Sequence, residues 1–101
     1  MAWRNALTKS MQELRIHLCQ TSPASAGVRD FVMANYAEIK KVDPRFPVSL
    51  RECAGAEAKL TARYDFGVEK TVSVQGASSA AVLTQLQELI QLGEKMPKSG
   101  E

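Results

Sequence analysis

The sequence predicts an α/β domain, a four-stranded mixed sheet with two main helices, and three patterns predict it. Leu14, Ile16 and Leu18 alternate with polar residues. Apolar residues then recur at helical spacing from Val28 to Ile39, and alternation resumes at Val48: strand, helix, strand. A second pair of alternating stretches flanks Asp65-Phe66-Gly67 and reads as a hairpin, and a final helical stripe closes the chain.

The first strand ends at Cys19. Thr21 and Ser22 are hydroxyl caps and Pro23 suits a first helical position, so a helix should run from about Ala24 to Lys41, with Val28, Phe31, Val32, Tyr36 and Ile39 on one stripe. Asp43-Pro44 and Phe46-Pro47 end it, because proline lacks a backbone donor and disfavours the α conformation before it. Val48, Leu50 and Glu52 alternate with Ser49, Arg51 and Cys53 in a second strand, which a right-handed crossover would set parallel to the first. Leu60, Ala62 and Tyr64 mark a third strand, and Val68, Val72 and Val74 a fourth. Gly67 supplies the positive φ that a tight connection needs. Ser78 or Ser79 caps the last helix, whose stripe is Val82, Leu83, Leu86, Leu89 and Ile90, with Gly93 as its stop. The order βαβ then ββα is that of a thioredoxin-like fold. A split ferredoxin-like arrangement would need a further strand after the last helix.

A chain of 101 residues holds one core. The expected division is an N-terminal arm over 1–13, the thioredoxin-like domain over 14–93 and a flexible tail over 94–101. The arm is basic at Arg4 and Lys9 and weakly amphipathic at Trp3, Leu7 and Met11, which suits either an uncleaved mitochondrial signal or a terminal arm that docks Trp3. A formal charge of +2, with basic residues scattered among acids, argues against a nucleic-acid footprint. No apolar run reaches the roughly 20 residues of a membrane span. Two cysteines are too few for a secreted disulfide framework.

Cys19-Gln20-Thr21-Ser22 lies where redox proteins of this fold carry two cysteines, and a helix N-terminus stabilises a thiolate. Serine replaces the second cysteine, and Ala58 stands where such enzymes have a proline, so no catalytic residue is assigned. Cys19 and Cys53 end neighbouring parallel strands at the same parity. A disulfide fits that placement, and two unpaired thiols fit a reducing compartment equally well. His17, Cys19 and Cys53 supply at most three ligands without metal-site spacing, so neither a metal nor a cofactor is expected. Arg15, Arg51 and Arg63 lie at polar parity on strands. They offer one face either to a partner's carboxylates or to solvent.

The blocks Leu14 to Gln20, Ser22-Pro23, Gly27 to Phe31, Arg51-Glu52-Cys53, Ala62-Arg63-Tyr64 and Phe66-Gly67 together resemble a known family. This is the family of small thioredoxin-fold accessory subunits of mitochondrial respiratory complex I, NADH:ubiquinone oxidoreductase, shared with certain mitochondrial ribosomal proteins. The resemblance implies a non-catalytic subunit on the matrix side of the inner membrane, without iron–sulfur cluster, flavin or quinone site. It would sit against the large iron–sulfur subunit of the peripheral arm, support assembly or stability there, and touch the membrane only through the complex. It also implies a redox-sensitive pair at Cys19 and Cys53.

Overall fold

A computed structural model describes residues 2–97 of the chain. Its elements run α1 (Ala2–Ser10), β1 (Glu13–Leu18), α2 (Ala26–Val42), β2 (Val48–Glu52), β3 (Lys59–Arg63), β4 (Glu69–Ser73) and α3 (Ser79–Glu94), with 3-10 turns at Pro23–Ser25 and Asp65–Gly67. The sheet order is β2-β1-β3-β4. β1 and β2 are parallel, and β3 runs antiparallel to both of its neighbours, β1 and β4. This is the mixed α/β class and the four-stranded mixed sheet that the sequence predicts, in the βαβ–ββα order.

Alternation places Leu14, Ile16 and Leu18 of β1 and Leu60 and Ala62 of β3 in one buried cluster. Val28, Phe31 and Ile39 of α2 and Val82, Leu86, Leu89 and Ile90 of α3 join it there. The helices therefore cover one side of the sheet. The odd-numbered residues of β1 and β3 face the other side, and no helix among the described residues packs on them.

Four details differ from the pattern reading. The described residues form three α-helices rather than two: the basic start folds as α1, whose Leu7 is fully buried and whose Trp3 packs its ring against Phe31, centroids 6.1 Å apart. Arg4 stacks over Trp3 and donates to Asn35 Oδ1 at 2.6 Å, which ties α1 to α2. Pro23 opens a 3-10 turn capped by the Ser22 hydroxyl, and the α-helix proper begins only at Ala26. Leu50 is exposed despite its apolar parity, because β2 is an edge strand. Gly93 is no helix stop: it lies buried within α3, where its missing side chain lets the helix close on Ser10 and the Tyr64 ring.

Ser78 caps α3 by accepting from the Ala81 N–H at 3.2 Å. Buried Tyr64 donates its hydroxyl to the Leu89 carbonyl at 2.7 Å, locking the end of β3 to α3, and burial pushes its phenol up to about 12. Of the stretch expected as a tail, Met96 packs on the core and residues 98–101 lie outside the described residues.

Candidate functional site

Two neighbouring features carry the predicted site residues: the corner where β1 ends, and the uncovered face of the sheet. At the corner, the Cys19 N–H donates to the buried Ser25 hydroxyl at 3.0 Å, and Arg29 donates to the carbonyls of Cys19 and Ser22 at 2.9 and 2.8 Å. These bonds fix the turn that carries the chain from strand to helix. Cys19 is buried at 4% exposure, and its sulfur accepts from the Gly55 N–H at 3.4 Å. Backbone N–H groups of Thr21, Gly55 and Ser22, with the Thr21 hydroxyl, lower its thiol to about 7.

Cys53 follows β2 directly. Its N–H donates to the Leu18 carbonyl at 3.2 Å, so it continues the ladder at the level of Cys19. Both cysteines are free thiols, one buried and the other exposed. Ala58 is fully buried, its N–H donating to Gln75 Oε1 at 2.7 Å. Proline has no such donor, so the local hydrogen bonding here is built for a residue other than proline.

On the open face the register aligns Glu13 with Arg63, Arg15 with Thr61 and Ser49, and His17 with Lys59 and Arg51. Arg15 is half-buried and pairs with both Glu13 and Glu69. Arg51 and Arg63 are exposed. The three arginines thus share one face as their parity predicts, but Arg15 is consumed by internal ion pairs and stands apart from the other two. Pattern reading passed over Lys59, which stands directly beside His17; register across β1 and β3 was the missing signal. His17 is half-buried, held below its ordinary 6.5 by burial and by the positive charges of Lys59, Arg51 and Arg15. No cluster of three or more His, Cys, Asp or Glu suited to a metal occurs among the described residues.

This arrangement offers a polar sheet face and a lowered thiol at the end of one strand with a second thiol at the end of its neighbour, and comparisons with known proteins give the family. Residues 28–79 match the domain described as mitochondrial ribosomal protein L51 / S25 / CI-B8, about half of the chain and the part that runs from α2 through β4. The chain belongs to that family. A member from Arabidopsis thaliana, NADH dehydrogenase (ubiquinone) 1 alpha subcomplex subunit 2, is 47% identical over 93 residues, covering 92% of this chain and 96% of its own length. The protein of the same name from Mus musculus is 48% identical over 79% of this chain and 81% of its own. The NADH-ubiquinone oxidoreductase 10.5 kDa subunit of Neurospora crassa is 36% identical over 89% of this chain and 96% of its own. These three relatives, matched over 79–92% of this chain, carry subunit names.

Proposed function

We propose that the chain is a non-catalytic accessory subunit of mitochondrial NADH:ubiquinone oxidoreductase, respiratory complex I. The observation that carries this is 47% identity over 92% of the chain to a protein named as such a subunit. The role is assembly or stability of the peripheral arm on the matrix side of the inner membrane, and the partner is its large iron–sulfur subunit. Among the described residues no helix is long and apolar enough to cross a membrane, which supports attachment through the complex. The thioredoxin-like scaffold contributes surface: the open sheet face docks, with exposed Arg51 and Arg63 on it, Arg63 standing between Glu13 and Glu69. Blue-native electrophoresis of mitochondrial membranes with mass spectrometry tests this; comigration with complex I is expected, and recovery only in the ribosome fraction overturns it.

The family description also names ribosomal proteins, so an RNA-contacting role is the second reading. A formal charge of +2, with the cations interspersed among eleven acidic residues, disfavours it, because binding to a phosphate backbone draws on clustered positive charge. Cys19 and Cys53 form the redox-sensitive pair of this proposal, reduced in the structure and joined by thiol–disulfide exchange with an oxidised thiol donor. Alkylation of the native assembly without prior reduction checks it. Partial protection of both cysteines is expected, and two fully alkylated thiols under oxidising conditions reject the pair.

A further inference from the structure

The register divides the open sheet face into two ends with different charge. At one end Arg63 stands between Glu13 and Glu69, and Arg15, one row along, engages both of those carboxylates. Two arginines and two glutamates balance there. At the other end His17 of β1 lies directly between Arg51 of β2 and Lys59 of β3, and the row finishes at Ser73 of β4. Adjacent strands are spaced by about 4.8 Å, so three basic side chains stand shoulder to shoulder.

No carboxylate interrupts them. Neither Arg51 nor Lys59 has an ion-pair partner among the described residues, and Nδ1 of His17 is buried without a hydrogen-bond partner. Of the acids on the adjoining elements, Glu52 lies at the opposite parity of β2, and Glu57 stands at the outer end of the row, its carboxylate accepting from the Ser73 hydroxyl at 2.9 Å. Arg51 and Lys59 flank His17 from either side and disfavour its charged form, and neither cation is neutralised by a carboxylate within the fold. Folding alone therefore gives no reason for this row, and an anion laid on it does.

We propose that Arg51, His17 and Lys59 form a docking row that receives a carboxylate-rich segment of a partner protein laid across the open face of the sheet. This rests on the subunit reading above and assigns it a face and a chemistry. The row is short and is followed along the face by a stretch in which Glu13 and Glu69 balance Arg15 and Arg63, which offers a continuous phosphate backbone no further positive charge; a peptide can place its acids at the row and other side chains beyond it. In the free chain burial, and after it the charges of Lys59, Arg51 and Arg15, disfavour the imidazolium. A carboxylate seated between them reverses that balance, and His17 takes up a proton from solvent as the partner docks.

The test uses the full chain in mitochondria carrying Arg51→Gln with Lys59→Gln, against a control with Lys9→Gln and Lys95→Gln, which removes the same charge from exposed positions on and beside helices. Retention in the complex is read by blue-native electrophoresis across a salt series. The row variant is expected to show association weakened about tenfold, with the control unchanged. Because Arg51 is exposed, Lys59 half-buried and neither is ion-paired among the described residues, its melting temperature should stay close to the parent's, and a circular-dichroism melt of the purified variant separates weak docking from misfolding. Retention equal to the parent overturns the row and leaves the subunit reading standing. Should the parent itself be absent from the complex, that reading fails, and the row is judged on the purified chain by following His17 in NMR titrations with polyglutamate peptide or polyuridine oligonucleotide. Polyglutamate raising the pKa of His17 supports the row; preference for the oligonucleotide, or no response to either, overturns it.

Discussion

A Cβ at position 93 would lie 2.4 Å from the Ser10 carbonyl oxygen and 2.7 Å from the Tyr64 ring, so Gly93→Ala must push α3 away from its neighbours. A loss of about 1–3 kcal/mol is expected, read by urea unfolding. Periodicity could not show this, since a glycine near the end of a helical stripe looks the same whether it stops the helix or lets another chain segment approach. Cys19 yields a pH dependence instead. Its thiol is lowered to about 7 from an ordinary 9.0, so between those values the unfolded chain holds a proton that the folded chain has released. The stabilisation is therefore complete above about pH 9 and is lost as pH falls through about 7. Melting temperature should rise between those limits more steeply in the parent than in Cys19→Ser; equal slopes reject a lowered thiol. Its position at a strand-to-helix turn was legible in Cys19 and Pro23, whereas the Gly55 N–H that also faces the sulfur comes from 36 residues away and was not.

The hairpin between β3 and β4 carries its own strain. Phe66 has φ 65° and is 70% exposed, and Gly67 follows at φ 75°. A left-handed conformation costs a non-glycine residue roughly 1–2 kcal/mol, and this ring recovers little of that by packing. Phe66→Asn should stabilise the chain by about 0.5–1 kcal/mol, visible as a higher denaturation midpoint with an unchanged slope. The turn and both strands are plain in the sequence because alternation reports them directly. That two consecutive residues adopt positive φ is not, because only Gly67 advertises it. The first helix was under-read for a similar reason: Trp3, Leu7 and Met11 form a short stripe, and what makes it a helix is tertiary, the packing of Trp3 on Phe31 and of Leu7 into the core.

At the scale of the whole molecule the fold class follows from element order, since strand-helix-strand followed by hairpin and helix leaves few topologies. The placement of the arginines on one face follows from parity. Which charges are already spent does not, because that depends on register: Arg15 is claimed by Glu13 and Glu69, while Lys59 arrives beside His17. The two outer strands have a consequence for the chain before it meets any partner. β2 presents Arg51 and Glu52 at one rim of the sheet, and β4 presents Glu69 and Lys70 at the other, all exposed. Charges on rims discourage a second copy from adding its own strand. The purified chain should therefore sediment as a monomer at physiological salt, and a concentration-dependent dimer would count against it. A copy with its edges guarded in this way can stand at high concentration without nucleating aggregates.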